Sequence, residues 1–543
     1  MATHEDGSGR VKQERRNARA PRSHFRSRSA GSQRRAEEPQ GRAIARFRYA
    51  VVEVLQRYSK RTSAQHKRFV AFLILGGALL RGYVLFRPIT ADEALAYMSF
   101  ATLPTGELLS TYSHPVNHIF HTLLTKASTG LFGTGLVSLR SPAFIAGVLM
   151  LPLFYLFVRA MFNRYIAVMA LALCAASPNL VEQSALAHGY SIGWLCLVVA
   201  LVLGRHLIRS NERVPAVLIG LVCAIGMWSI PSLLNAVIMV HVWILFSLLS
   251  MYERSLGERL ATLGLSAGVF LVATVAFYLP VIMGHGVDQL FHHVTEEPHT
   301  WAKFSVDYPE EVLGVWVWIV DPTYWWVAVV GFAGLVQAAY ISVKFRSLLF
   351  AMAVGAIPIV LLQASTGQSG EWGYTLLIYH LGMAIAAFYL LKFIQEKLFP
   401  SLSKRTRTTW ASLILFAGLA IPGMSVIAER IPRLPQARAC AEFLNGAMAA
   451  GDRACVDPVW QAPVGFHLRI LGHDLNELMG TPKPGRLQIA VLTTPNGTTF
   501  NNLLYRCVQS PRSYQDPYMM KEWPGMEIFA AHLREDASAG EAH

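Results

Sequence analysis

The feature that most constrains this chain is a series of long apolar runs, each of about 17–22 residues, separated by short basic loops. A run of this length allows an α-helix to cross the hydrocarbon core of a bilayer. Charged residues make up only 15% of the 543 residues, against about 25% in soluble proteins. The pattern predicts a polytopic membrane protein. It argues against a soluble enzyme, a nucleic-acid-binding domain and a disulfide-built secreted module.

We predict about eleven membrane spans from these runs. Their ranges are 69–86, 140–158, 165–181, 190–207, 214–231, 233–250, 261–283, 323–342, 347–364, 374–393 and 409–428. Loops predicted on the cytoplasmic side contain 14 Lys or Arg residues, whereas loops predicted outside contain four, namely Arg87, Lys126, Arg140 and Lys303. This asymmetry predicts a multi-pass protein of the cell (inner or plasma) membrane, with a cytoplasmic N-terminus and an external C-terminus.

The basic charge of the chain is concentrated at its beginning. Residues 1–68 contain 18 Lys or Arg and 6 Asp or Glu, a net charge of +12, whereas residues 69–543 carry only +2. So polar a segment cannot bury enough surface to fold alone. We therefore predict a disordered cytoplasmic tail attracted to anionic lipid, with an interfacial amphipathic helix over 43–58. RNA binding is the alternative, but no aromatic-basic module supports a nucleic-acid partner.

The predicted organisation has three parts: the tail 1–68, a transmembrane domain 69–428 and a small external α/β domain 429–543. Two external loops are long, 87–139 and 284–322. In the last part we expect a helix near 436–450 and strands at 487–493 and 503–509. Three cysteines lie in spans as packing residues, and three lie in the external domain: Cys440, Cys455 and Cys507. One disulfide is expected there, and the sequence leaves its pairing open.

Two adjacent carboxylates, Asp92 and Glu93, directly follow the first span. Such a pair beside hydrocarbon is costly unless it is solvated or has a function. A structural interpretation is also open, because acidic residues favour the N-terminus of a helix such as 94–100. Arg81 lies within the first span, and Asp92 or Glu93 is its nearest candidate partner.

Three histidines follow in the same external loop. His114, His118 and His121 are spaced so that all three can face one side of a helix. Neutral imidazoles would suit a zinc ion, whereas protonated imidazoles would suit a lipid phosphate. The sequence does not choose between these two interpretations.

Several of these residues lie in motifs that resemble a known family. In chain order the motifs are Ala78…Arg81 with Asp92-Glu93-Ala94, Ser113-His114-Pro115, Leu139-Arg140-Ser141-Pro142-Ala143, and Ser184…Ala187-His188-Gly189-Tyr190-Ser191. Their order and spacing resemble the start of the GT-C membrane glycosyltransferases of the protein-mannosyltransferase and aminoarabinose-transferase type, in particular the bacterial RgtA/B/C/D-like branch. Beyond residue 210 the resemblance is limited to hydropathy, topology and the C-terminal domain.

The resemblance implies an all-α GT-C membrane fold and an inverting glycosyltransferase. Its donor would be a hexose or pentose on a polyprenyl phosphate, and its acceptor a hydroxyl of a cell-envelope lipid or glycan at the external face. Asp92 would be the general base, tuned by Glu93, in a family whose reaction gains from proton removal in the transition state. The implied substrate- and phosphate-binding residues are Arg81, His114, Lys126, His188 and Tyr190. A divalent cation, Mg²⁺ or Mn²⁺, is a candidate cofactor, and its ligands are unknown.

The sequence also departs from the family pattern. Ala185 and Leu186 stand where the family has Gln-Glu, and His188 stands where it has Arg. Tyr379-His380 takes the place of an Arg-Tyr before a late span. These departures leave open a catalytically inactive homologue that acts as a membrane assembly subunit. A lipid or polymer transporter is the other alternative, against which the absence of an internal repeat argues.

Overall fold

The structure is a computed structural model that describes residues 43–534, apart from 61, 251–254, 288–289, 291–300, 321–324, 364–368, 399, 402, 431–432, 484–485 and 495–497. The predicted tail 1–42 therefore lies outside the described residues. The helix α1, Ala43–Lys60, belongs to a unit of its own that ends at Ser63. It confirms a helix where the sequence predicts one, and its interfacial role remains a prediction.

The second unit begins with a bundle of long apolar helices. Their bounds are α2 Ala64–Leu85, α3 Ala91–Ala96, α4 Thr105–Ser110, α5 Ile119–Phe132, α6 Leu136–Met161, α7 Arg164–Ala176, α8 Pro178–Gln183, α9 Tyr190–Ser210, α10 Arg213–Ser229, α11 Leu234–Leu249, α12 Leu256–His285, α13 Trp301–Val320, α14 Trp325–Ile341, α15 Val343–Gln363, α16 Gly373–Leu398 and α17 Lys404–Arg430. One apolar core joins them, with Trp194, Trp243 and Phe154 among its fully buried side chains. Many large apolar side chains on the outer helix faces are exposed, such as Val272 at 72%. A bilayer would cover that surface.

Ten of the eleven predicted spans coincide with one helix each, whereas the span predicted at 165–181 covers α7 and the start of α8, which are separated at Ser177. Within the described chain, seven helices are long and apolar enough to cross a membrane, and three shorter ones are apolar: Arg164–Ala176, Arg213–Ser229 and Val329–Ile341. The predicted fold class, a mostly helical multi-pass membrane protein with a small C-terminal sheet, is confirmed. The number of spans and the direction in which they cross remain predictions.

The predicted loop 87–139 is folded into three short helices, α3 to α5, and a π-helical turn, Tyr97–Ala101. The Lys126 ammonium donates to two carbonyls at the end of that turn, Ala101 O at 3.1 Å and Leu103 O at 2.6 Å. It thereby satisfies acceptors that the end of a helix leaves unpaired. The loop is thus a fixed platform over the helix bundle.

The C-terminal part is a four-stranded sheet with helices on both faces. Its strands are β1 Arg453–Val456, β2 Leu487–Thr493, β3 Tyr518–Trp523 and β4 Met526–His532, and its helices are α18 Pro435–Ala447, α19 Pro458–Ile470, α20 Leu475–Leu478 and α21 Phe500–Arg506. The strand order is β1-β2-β4-β3, with β1 parallel to β2 and the other pairs antiparallel. Alternate residues of β2 pack on opposite helix layers, Ile489 towards α18 and α19 and Ala490 towards α21.

The helix near 436–450 and the strand 487–493 are confirmed, but the strand predicted at 503–509 is wrong. That stretch lies largely in α21, which begins one turn earlier because the Thr499 hydroxyl accepts from the Asn502 N–H. Phe500, Leu503 and Leu504 then meet on the buried face at helical spacing. The structure also settles the disulfide: Cys455 pairs with Cys507, and Cys440 is a buried free thiol.

Candidate active site

The helix that carries Asp92 and Glu93 begins at Thr90. The Thr90 hydroxyl accepts a hydrogen bond from the Glu93 backbone N–H at 3.3 Å. In return, Glu93 Oε2 accepts from the Thr90 N–H at 3.0 Å and from its hydroxyl at 3.1 Å. This reciprocal capping box satisfies donors that a helix start otherwise leaves unpaired. It fixes the backbone on both sides of Asp92.

Arg140, 47 residues further along the chain, binds the same carboxylate. Its Nε and Nη2 donate to the two oxygens of Glu93, each at 2.7 Å. Its other N–H groups donate to the carbonyls of Leu85, Arg87 and Pro88 at 2.6–3.1 Å. All five guanidinium donors therefore have an acceptor, as a fully buried arginine requires. Arg140 ties the end of α2 to the start of α3.

The Glu93 carboxylate is completely buried and also accepts the Ala187 N–H at 2.8 Å. Burial alone would raise the pKa of Glu93. The nearby Arg140 charge and the hydrogen bonds from Arg140 and Ala187 outweigh burial and lower that pKa to about 2. The structure therefore shows Glu93 as an ionised group in the capping role that the sequence left open.

Asp92, its neighbour, faces outward. Its side chain is exposed and makes no hydrogen bond or ion pair within the part of the chain that the structure describes. Its charge acts on the His188 ring and on the Tyr190 hydroxyl. The arrangement follows from Glu93, since the Ala187 N–H that Glu93 binds lies one residue before His188. The structure thus brings together three predicted site residues: Asp92, His188 and Tyr190.

Three rings pack against one another beside Asp92. The His118 ring lies 5.6 Å from that of His188 and 5.4 Å from that of Tyr190, and the last two are 6.0 Å apart. The Gly189 N–H donates to Nδ1 of His118 at 2.6 Å. A Cβ atom on Gly189 would lie 2.1 Å from the Ser229 carbonyl oxygen, so only glycine fits there. Because Nδ1 accepts, neutral His118 carries its proton on Nε2 and offers that N–H as a donor.

Burial favours the neutral form of three of these histidines, His118, His121 and His188. Burial lowers the pKa of His118 well below its usual value of 6.5 and that of His121 to about 3. Burial also lowers the pKa of His188, although the Glu93 and Asp92 charges oppose it. The predicted single helix face is wrong: only His121 lies within α5, His118 is its N-cap, and His114 precedes it. His114 accepts the Val116 N–H through Nδ1 at 3.2 Å.

Acid is expected to destabilise the protein through these rings. Since His121 has a pKa near 6.5 when unfolded and about 3 when folded, the unfolded state binds more protons between these pH values. The free energy of unfolding should therefore fall as pH drops below 6.5, by about 1.4 kcal/mol per pH unit for each such histidine. Thermal unfolding in detergent from pH 7 to 4.5 measures the slope. His121→Gln should flatten it, and the exposed His473→Gln should not. Equal slopes in all three proteins would contradict the assignment.

Glu371 is a site residue that sequence reasoning missed. It lies in the 3₁₀ turn Ser369–Trp372, which precedes α16. The turn lies against Tyr190, because a Cβ atom on Gly370 would be 3.5 Å from the Tyr190 hydroxyl oxygen. The charges of Glu371 and Asp92 act on this same hydroxyl. The sequence does contain one signal for Glu371, which is that a single carboxylate lies between two predicted spans.

Arg81 has different partners from those predicted. Its side chain is fully buried and donates to the carbonyls of Gly77 and Ala175, both at 3.0 Å, and of Cys174 at 3.4 Å. Cys174 and Ala175 lie in the last turn of α7, where free carbonyls and the helix dipole favour a cation. The predicted pairing with Asp92 or Glu93 is therefore wrong. Arg81 and Lys126 both donate hydrogen bonds to backbone carbonyls, so their charges stabilise the ends of helical segments.

The residues near Asp92 do not fit a resident divalent cation. No group of three or more His, Cys, Asp and Glu side chains suited to a metal occurs among the residues that the structure describes. The Glu93 carboxylate is bound by Arg140. The Nδ1 lone pair of His118 accepts the Gly189 N–H. The Mg²⁺ or Mn²⁺ of the sequence analysis therefore has no donor set here. The alternative of a zinc ion on the three histidines fails for the same reason.

Comparison with known proteins agrees with this architecture. The family model described as dolichyl-phosphate-mannose-protein mannosyltransferase matches residues 113–278. The apo crystal structure of ArnT from Cupriavidus metallidurans superposes with a TM-score of 0.55 at 12% identity, covering 86% of this chain and 98% of ArnT. The same protein bound to undecaprenyl phosphate gives 0.51 at 14% identity, covering 85% and 97%. No curated protein matches the chain significantly in sequence.

The two kinds of comparison cover different parts of the chain. The family match contains α5, the His188–Tyr190 stretch and the helices up to α12. The structural matches extend over most of both chains. The predicted resemblance and the predicted GT-C fold are therefore confirmed: this chain shares the fold of ArnT.

Proposed function

We propose that this protein is an inverting glycosyltransferase. It moves a sugar from a polyprenyl-phosphate donor to an acceptor hydroxyl of a cell-envelope lipid or glycan at the external face of the membrane. One observation carries the proposal: Asp92 is a solvent-exposed carboxylate fixed beside polar rings by a fully satisfied buried ion pair. The family match and the ArnT fold support the reaction class.

Asp92 acts as the general base in this proposal. As the acceptor oxygen bonds to the anomeric carbon, Asp92 takes its proton, a contribution of about 10²–10⁴-fold in rate. The bond from the anomeric carbon to the phosphate oxygen breaks, and the phosphate leaves with the electron pair. Attack from the face opposite the phosphate inverts the anomeric configuration.

The phosphate needs hydrogen-bond donors where its negative charge develops. We assign this role to the Nε2–H of His118, the His188 ring and the Tyr190 hydroxyl, which form one packed group. Neutral donors suffice because a phosphate ester of low basicity leaves without a general acid. Glu93 and Arg140 are positioning residues that hold the start of α3.

Glu371 replaces the carboxylate that the family motif would place at 186. Ala185 and Leu186 are fully buried apolar residues, so they offer no acid to the site. Replacing Glu371 by Gln is expected to lower turnover about tenfold, the effect of about 1.4 kcal/mol in the transition state. Initial rates at saturating donor measure it, with Glu396→Gln as the control, because Glu396 lies at the far end of α16. Equal rates for both variants would remove Glu371 from the site.

An inactive assembly subunit is the second candidate function. The apolar pair Ala185 and Leu186 and the neutral His188 favour it, since they depart from the family pattern. Binding of a polyprenyl-phosphate sugar without product formation would identify this case. Movement of the lipid across a bilayer without either product or stable binding would instead identify a transporter.

The experiment that tests the proposal compares cell-envelope glycans by mass spectrometry with and without this protein. Loss of one hexose or pentose from a single lipid or glycan species is the expected result. The purified full chain should then restore that residue from a polyprenyl-phosphate donor, with the anomeric configuration inverted by NMR. Unchanged envelope glycans together with no sugar transfer by the purified protein would contradict the proposal.

A further inference from the structure

We propose that the end of the bundle where α2 begins and α6 ends contains a binding site for an anionic phospholipid headgroup. The site is formed by basic residues of three helices around His66 and Tyr155. It is separate from the candidate active site, which lies at the opposite ends of α2 and α6. The inference does not depend on the proposed reaction.

The centre of this site is a buried polar pair. The Nε2 atom of His66 lies 2.9 Å from the Tyr155 hydroxyl, and Arg159 donates to that hydroxyl at 3.3 Å. The positive charges of Arg164, Arg159 and Arg405 all act on the His66 ring. These residues come from the end of α6, the start of α7 and the start of α17, so the fold gathers them from distant parts of the chain.

Aromatic rings hold the cations in place. The Tyr165 ring contacts two of them, the Arg164 guanidinium at 4.9 Å and the Lys404 ammonium at 4.8 Å from its centre. The Phe388 ring contacts Lys404 at 5.3 Å and Arg407 at 5.6 Å. A cation over the face of an aromatic ring is attracted by the negative charge of that face. The cations are therefore presented in a defined arrangement and do not spread freely into solvent.

Three cations of the site have no acidic partner among the described residues. Arg164, Lys404 and Arg405 form no ion pair with an Asp or Glu in the described chain. Arg140, in contrast, is neutralised by Glu93. Like charges gathered at one place repel, and an anion bound between them would relieve that repulsion. The starts of α2, α7 and α17 add the positive ends of three helix dipoles.

The surroundings favour a lipid over free phosphate. One to three turns into the same helices, apolar side chains are exposed: Phe72 at 54% and Leu75 at 59% on α2, and Trp410 at 62% and Ile414 at 68% on α17. A headgroup on the cations would place its acyl chains along this surface. Basic pockets between transmembrane helices are known to bind anionic headgroups in this way. The ligand class is therefore a phosphate-containing amphiphile.

The test is a titration of the purified full chain in neutral detergent with fluorescent phosphatidylglycerol and, separately, phosphatidylcholine. The triple variant Arg164→Gln, Lys404→Gln, Arg405→Gln should weaken phosphatidylglycerol binding at least tenfold. The matched control is Arg209→Gln, Arg213→Gln, Arg346→Gln, three exposed basic residues on the same predicted side. It should change binding less than twofold, and both proteins keep the same basic N-terminal segment.

A charge-conserving variant, Arg164→Lys, Lys404→Arg, Arg405→Lys, guards against misfolding and should bind within about threefold of the parent, since the charge that attracts the headgroup is kept. Equal losses in the test and control variants would overturn the proposal, because binding would then follow total charge alone. So would equal binding of phosphatidylcholine. Full displacement of the lipid by millimolar inorganic phosphate would reassign the site to free phosphate.

Discussion

Replacing Asp92 by Asn is expected to lower sugar transfer by about 10²–10⁴-fold while leaving the protein folded. An amide cannot take the proton of the acceptor hydroxyl, so the loss should appear in turnover at saturating donor and acceptor. Stability should not change, because Asp92 is exposed and makes no hydrogen bond in the described part of the chain. Single-turnover transfer and thermal unfolding of the same preparation measure the two quantities.

The matched control for Asp92→Asn is Glu107→Gln. Glu107 is another exposed carboxylate of the same loop region, in α4. Its neutralisation changes the net charge equally and should leave turnover within about twofold, as surface substitutions usually do. Comparable activity of the two variants would falsify the assignment of Asp92 as the general base. Donor binding by Asp92→Asn separates lost chemistry from lost affinity, since only the chemical step should fail.

The architecture was accessible from the sequence because it follows from local patterns. Apolar runs of membrane-spanning length depend on one stretch of chain at a time, and ten of the eleven predicted spans coincide with one helix each. The strand predicted at 503–509 is wrong because a residue outside that stretch determines its structure. Its apolar residues suit a strand, but the cap at Thr499, outside the stretch, sets a helix instead.

The candidate site was predictable only in part, because its contacts join distant residues. Motif order identified Asp92, His188 and Tyr190, which the structure does bring together. No local signal indicated that Glu93 pairs with a residue 47 positions later. The sequence also does not show which side chains are buried. Burial lowers the pKa of His118 and of His121, and this keeps both rings neutral.

The buried ion pair of Glu93 with Arg140 determines the position of the exposed Asp92 carboxylate. Both side chains are fully buried, and each has the other as its only ionised hydrogen-bonding partner within the described residues. The pair fixes the start of α3 and thereby the direction in which Asp92 points. Loss of the pair should therefore reduce activity as well as stability, although neither residue touches the proposed substrates.

Removing both partners is expected to cost less than the two single losses added together. Arg140→Gln and Glu93→Gln should each lower the free energy of unfolding by about 3–5 kcal/mol, because each leaves a buried charge uncompensated. The double variant should lose less than the sum of the two, with a coupling of about 1–3 kcal/mol. Arg438→Gln is the control: Arg438 forms an exposed pair with Glu442 at 2.9 Å, with side chains 72% and 53% exposed, and such pairs contribute about 0–1 kcal/mol. Denaturant unfolding of all four variants in detergent measures these values. If Arg140→Gln costs no more than Arg438→Gln, the buried pair does not hold the site.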